Sequence, residues 1–182
     1  MGEMGREFAG GHAEYALLPN ELLIPVSTSL PWDVFAALPE TYLIAYGSLA
    51  RMGVEGTGRT LSIRTGTSSV GMATLFLAKA LGLETIATTR NSDKAASPRT
   101  AAATHVVIDG GDIAAEVRKI RPEGPDYVLD LLGAPTMAGS LQLAARGGTV
   151  CMTGVLSGVS DGAGVPAGDH DPVRHQADRV PQ

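Results

Sequence analysis

The sequence predicts an α/β fold: a doubly wound parallel sheet covered by helices on both faces. Three observations lead there. From about Thr60, short β-type runs alternate with helical stretches, which is the signature of strands joined by crossover helices. The β-type runs are mostly apolar, as strands buried on both faces are, and lack the polar alternation of half-exposed ones. A glycine-bearing segment, GTSSVG from Gly66 to Gly71, stands between the first such run and the first helical stretch.

The elements follow in order. Strands are predicted at TLSIR (60–64), ETIATT (84–89), HVVI (105–108), YVLDL (127–131) and TVCMT (149–153). Between the first two, Met72, Leu75, Phe76 and Lys79 fall at helical spacing, and Gly82 stands where a helix end favours a residue tolerant of positive φ. Asp112 is placed to cap IAAEVRKI, with Arg118 and Lys119 near the negative end of that helix. Upstream, His12 to Pro19 and Leu22 to Val26 read as extended, and the stretch from Pro31 to Gly53 reads as helical. After Ser157 the chain is rich in Gly, Pro and Asp with no apolar period, and a disordered tail over 158–182 is expected.

At 182 residues the chain can bury one full core and part of a second. No apolar run approaches the roughly 20 residues of a membrane span, and the amino-terminal residues lack the pattern of a secretory signal, so a soluble, cytoplasmic protein is expected. The single cysteine, Cys151, agrees with a reducing compartment. A net charge of −5 argues against a nucleic-acid partner, whose phosphates require a positive surface.

Three motifs compete for GTSSVG. A triphosphate-binding loop needs Lys and then Ser or Thr after its last glycine, and here Met72 and Ala73 follow. A nucleophile elbow with Ser68 as the serine needs a small residue two positions on, and that residue is Val70. GVSDG (158–162) matches the elbow pattern but has no strand before it or helix after it. The dinucleotide fingerprint fits best: Gly66 and Gly71 are its outer glycines, and the motif leaves a strand and opens a helix. In that reading Gly66 permits the tight turn and Gly71 lets helix and strand approach. Thr67, Ser68, Ser69 and Val70 join these glycines as expected cofactor-binding residues, with backbone N–H groups at the helix start facing a pyrophosphate. The middle glycine is replaced by Ser68, whose side chain either crowds the cofactor or binds a phosphate oxygen; a turn with no ligand is the alternative. The fold this implies is of the Rossmann type.

Cofactor choice is read at the end of the second strand. Many NAD sites place an Asp or Glu there, to accept hydrogen bonds from the ribose. This chain has Thr89 and Arg90, with Ser92 and Lys94 just after. Such a loop suits the 2′-phosphate of NADP(H), which arginine grips with a charged fork, or else is a solvated basic loop.

Together, GGHAEYALLP, AALPETYLIAYGSL, TLSIRTGTSSVGMATLFLAKALG, ETIATTR, THVVIDGGDIAAEVR, DYVLDLLGAPT and GGTVCMTG resemble the medium-chain dehydrogenase/reductase superfamily, in its zinc-independent, quinone-oxidoreductase-like branch. The resemblance runs from Met4 to Gly154. It implies a remnant of a GroES-like catalytic β domain over 1–35, a Rossmann dinucleotide-binding domain over 36–157 and a substrate cleft. The reaction implied is hydride transfer from NADPH to a conjugated carbonyl of quinone or enone type. The chain starts late in the family's pattern and loses it after the fifth strand. An internal fragment is therefore expected, with a truncated sheet whose exposed fifth-strand edge invites self-association. A non-catalytic dinucleotide-binding remnant is the alternative. Pro98 also stands where the family continues a helix, and an interior proline costs about 3 kcal/mol.

No catalytic acid or base is singled out, because the cofactor carries most of the chemistry. None of the four tyrosines has a lysine four residues on, which sets aside the short-chain dehydrogenase pair. One cysteine and four histidines, scattered through the chain, are a poor source of zinc ligands, and no metal is expected. Tyr42 and Tyr46 share a helix face on the connector that, in the family, runs beside the nicotinamide; they are either substrate contacts or core packing. Asp130, Leu131 and Gly133 follow the fourth strand, and Thr153 and Gly154 follow the fifth. Ligands of open α/β sheets bind at such carboxyl ends.

Overall fold

The computed structural model describes residues 10–154, 156, 157, 178 and 179. The chain divides at Phe35 into two units. In the first, residues 10–35 form one 3-10 turn, Asn20–Leu22, and most of helix α1 (Trp32–Ala36). Among the described residues, the two segments expected to be extended pair with no strand. Tyr15 and Leu17 are 90% and 94% exposed, and there is no strand among the described residues of this unit. A strand needs a partner for its backbone groups, and these segments have no strand partner among the described residues.

The second unit carries the sheet. Helix α2 (Pro39–Arg51) starts at a proline, which is suited to a first turn and explains why the helical stretch breaks after Ala36. Then come β1 (Thr60–Arg64), α3 (Ser69–Ala80), β2 (Glu84–Thr89), α4 (Ala96–Thr100), β3 (His105–Ile108), α5 (Ile113–Arg118), β4 (Tyr127–Asp130), α6 (Ala134–Leu143) and β5 (Thr149–Met152). The order across the sheet is β3-β2-β1-β4-β5, all parallel. Chain direction across the sheet therefore reverses between β1 and β4, the Rossmann switch point.

Alternation of side chains sorts the core into two layers. Leu61 and Ile63 of β1, Ala87 of β2 and Leu129 of β4 pack with Leu49 and Met52, near the end of α2, and with Leu75 of α3. Ile86, Val128 and Val150 point the other way, against Val117 of α5 and Leu143 of α6. By the same alternation Ser62 and Arg64 of β1 face α5 and α6, so a charged side chain enters the second layer.

The amino ends of the strands are closed by polar ties. Arg59 pairs with Asp126 at 2.7 Å, which raises its pKa through hydrogen bond and charge, and Asp126 also accepts the Thr60 N–H at 2.8 Å. Glu84 bonds His105 and Arg121. The opposite end is open.

Two expectations are corrected here. Strand β6, Asp178–Arg179, runs antiparallel to β5 and pairs with Thr149 and Val150, so the fifth strand's edge is not bare at that end. The backbone groups there are satisfied by the chain's own later residues. The other residues of the expected tail, GVSDG included, lie outside the described residues, apart from Ser157 before them. The proline penalty is also avoided. Residues 92–94 form a separate 3-10 turn and α4 begins only at Ala96, so Pro98 falls in a first turn, where its missing N–H would have no helical partner.

Candidate functional site at the carboxyl ends of the strands

The fingerprint turn is built differently from its sequence reading. The positive φ belongs to Thr65 (69°), the residue before the first glycine. Gly66 is needed for another reason: a Cβ there would stand 2.7 Å from the Cβ of Ala87 on β2. Gly71 does serve close approach, since a Cβ would lie 2.6 Å from the Thr65 carbonyl oxygen and 2.9 Å from the Gly66 Cα.

Ser68 is the N-cap of α3. Its Oγ accepts from the Gly71 N–H at 3.1 Å and donates to the Thr65 carbonyl at 3.0 Å. The hydroxyl thus takes part in the helix start, a role that the sequence reading did not weigh. The N–H groups of Ser69 and Val70, in the first turn of α3, have no acceptors among the described residues.

Beside this turn lies a cleft of about 160 Å³. Thr65 and Thr67 bring the β1 turn to it, and Thr88, Thr89, Arg90, Asn91 and Lys94 bring the end of β2 and the loop beyond. Asp109 and Leu132 enter from the loops after β3 and β4. The β2 loop is ordered from within: Thr89 Oγ1 exchanges hydrogen bonds with the Asn91 backbone, and Asn91 Oδ1 accepts from the Asp93 N–H at 2.8 Å. That cap turns the chain so that Lys94 returns to the cleft while Ser92 does not.

Of the residues expected to bind a cofactor, the cleft therefore gathers Thr67, Thr89, Arg90 and Lys94. Gly66, Ser68, Ser69, Val70 and Gly71 form the adjoining turn and helix start. Asp130, Leu131, Gly133, Thr153 and Gly154 do not line it. Asp130 is fully buried, and its carboxylate is spent on the protein: Oδ1 accepts from the N–H groups of Leu132 and Gly133, and Oδ2 from the hydroxyls of Thr136 and Ser140. It holds the start of α6 to the end of β4. The Thr153 N–H donates to the Asp130 carbonyl, and a Cβ on Gly154 would overlap the Leu131 carbonyl, so these residues lock β5 to β4.

Sequence reasoning missed Thr65, Thr88, Asn91, Asp109 and Leu132. It also missed Arg64, 5% exposed, whose Nη1 donates to the Thr136 carbonyl and Ser140 Oγ and whose Nη2 donates to Asp109 Oδ2 at 3.2 Å. A charge ending an apolar strand was the available signal. Tyr42 is half-buried and Tyr46 is 64% exposed on α2. Among the described residues no three of His, Cys, Asp and Glu come together as a metal site, and no helix is long and apolar enough to cross a membrane.

A parallel sheet of this order, with a cationic and hydroxyl-lined cleft at its carboxyl ends, defines a Rossmann-type α/β domain. Residues 69–170, just over half of the chain, match the model of the zinc-binding dehydrogenase family. The chain belongs to that family and is a quinone-oxidoreductase-like member of the medium-chain dehydrogenase/reductase superfamily. Mouse quinone oxidoreductase is 26% identical over 80% of this chain. The spectinabilin polyketide synthase system protein NorB of Streptomyces orinoci is 30% identical over 93% of it. A mycobacterial structure solved in complex with NADPH superposes with a TM-score of 0.75 at 29% identity, covering 82% of this chain and 47% of that one. The chain spans 45% of the mouse enzyme and 8% of the Streptomyces protein.

Proposed function

We propose that this chain is the cofactor-binding part of an NADPH-dependent oxidoreductase acting on conjugated carbonyls of quinone or enone type. The observation that carries this reading is the make-up of the cleft. Where an NAD site commonly has a carboxylate at the end of β2, Thr89 and Arg90 stand, and Lys94 is folded back beside them. Cations and hydroxyls fit a phosphorylated ribose, and this donor set suits the 2′-phosphate. The cleft is smaller than the roughly 300–1,000 Å³ that encloses a whole drug-sized ligand, as befits one end of a dinucleotide. The pyrophosphate belongs at the start of α3, against the free N–H groups of Ser69 and Val70.

Bound NADPH supplies the hydride, and the protein supplies binding and orientation. Zinc-independent chemistry, a cytoplasmic location and self-association at what remains of the sheet edge, Cys151 and Met152, are parts of the same reading. Tyr42 and Tyr46 are its substrate contacts. What supports them is that Ser48, two residues beyond Tyr46, bonds Thr153 at the carboxyl end of β5.

The test is a titration of the protein with NADPH and NADH, followed by nicotinamide fluorescence and calorimetry. Preference for NADPH is expected, with Arg90→Ala and Lys94→Ala each weakening NADPH by about tenfold and NADH far less. Equal affinities, or preference for NADH, would overturn the assignment of the 2′-phosphate. Binding without reduction of any quinone or enone tried would favour the non-catalytic remnant.

A further inference from the structure

Among the described residues that line the cleft, Asp109 is the only carboxylate, and it shares that lining with Arg90 and Lys94. On the reading above, those cations receive a phosphate. A carboxylate in the same wall would repel it. The structure meets this charge from beneath. Arg64, which does not line the cleft, donates from Nη2 to Asp109 Oδ2 at 3.2 Å, and the other carboxylate oxygen is held by the Gly111 N–H at 3.2 Å.

Arg64 also stands within ion-pair range of the fully buried Asp130, Nη1 to Oδ2 at 3.9 Å, but donates no hydrogen bond to it, since the two oxygens of Asp130 already accept four donors. Arg64 nevertheless sits in the protein interior at a cost, because its Nε is buried with no partner among the described residues. Two carboxylates offset the charge, Asp130 inside the protein and Asp109 at the cleft, and of the two only Asp109 lines the cleft.

We infer that Arg64 is a specificity-determining positioning residue: by pairing with Asp109 behind the cleft wall, it removes the charge that would otherwise oppose a 2′-phosphorylated dinucleotide. The inference rests on the NADPH reading. It assigns the preference to a buried pair as well as to the exposed cations.

Three variants test it: Arg64→Met, Asp109→Asn and the double substitution. Each is checked for cooperative thermal unfolding and then titrated with NADPH and NADH at one ionic strength. Arg64→Met should lower the ratio of NADPH to NADH affinity by about tenfold, and the double variant should bring it back to within about threefold of the wild-type ratio. Asp109→Asn alone should leave the ratio unchanged or raise it. A general packing defect would weaken both dinucleotides alike and would not be rescued by a second substitution.

If Arg64→Met fails to fold because the buried Asp130 also loses its cation, the double variant combined with Asp130→Asn carries the test, since its wall holds neither charge and must keep the preference. An unchanged ratio in Arg64→Met, no recovery in the double variant, or equal loss of both dinucleotides in Asp109→Asn would each overturn the inference. Wild-type protein with no preference for NADPH would overturn the reading beneath it as well. A wild-type preference that Arg64→Met leaves intact sinks only the role of Arg64.

Discussion

The hydroxyls of Ser48 and Thr153 meet at 2.8 Å, joining α2 to the carboxyl end of β5 across 105 positions of sequence. Ser48 also donates to the Ile44 carbonyl at 2.8 Å, so Thr153 is the donor between the two hydroxyls. Replacing Ser48 by Ala removes the acceptor. Stability should fall by about 1 kcal/mol, seen as a lower urea midpoint at unchanged slope.

Ser68 offers a sharper comparison. As an N-cap it should cost about 1 kcal/mol on replacement by Ala but only a few tenths on replacement by Gly. The glycine variant also restores the usual fingerprint, so its dinucleotide affinity should match or exceed that of the parent. Denaturant melts and fluorescence titrations of the two variants check this. Equal stability losses would mean that the cap bond contributes nothing.

At Gly71 the obstacle to a side chain is backbone. Gly71→Ala should destabilise by about 1–3 kcal/mol as α3 is pushed off the β1 turn. Gly66 differs, because its close neighbour is a side chain, the Ala87 Cβ at 2.7 Å. Gly66→Ala should therefore be partly rescued by Ala87→Gly, whereas no single second change should rescue Gly71→Ala. Thermal melts of the four variants separate the two cases.

Asp130 takes four hydrogen bonds in a site closed to water. Asp130→Ala should cost about 3 kcal/mol or more, because two N–H groups and the Ser140 hydroxyl lose their acceptor together, while Thr136 Oγ1 keeps the Gly133 carbonyl. Asp130→Asn, which keeps one acceptor oxygen, should cost less. Chemical denaturation measures both, and a neutral Asp130→Ala would show that α6 is held by other means.

Pro98 should prove benign. A proline in a first turn loses no hydrogen bond and restrains the unfolded chain, so Pro98→Ala should destabilise by roughly 0.5–1 kcal/mol. A large gain in melting temperature would instead show that the proline strains α4.

The strands were legible almost residue by residue. Over the five parallel strands, expected and observed ranges differ only at Leu131 and Thr153, each one position past the end of its strand, while β6 was not expected at all. Runs as apolar as TLSIR and TVCMT admit few alternatives once glycine turns and helical periods separate them. The amino-terminal segments are a different case. HAEYALLP has strand composition, but a strand is a relation between two segments, and the partner is not among the described residues of that unit.

By its own pattern the sequence determined the order of strands and helices, the fingerprint turn and the cationic loop after β2. These are local features, carried by periodicity, glycine and charge within about 30 residues of one another. Only the tertiary structure decided what Ser68, Arg64 and Asp130 do. The hydroxyl of Ser68 is spent on a helix start, Arg64 is paired with Asp109 from a neighbouring loop, and Asp130 is enclosed by the start of α6. The physical reason is that a polar side chain takes its role from the donors and acceptors around it. In a doubly wound sheet, crossover connections bring those partners from far along the chain.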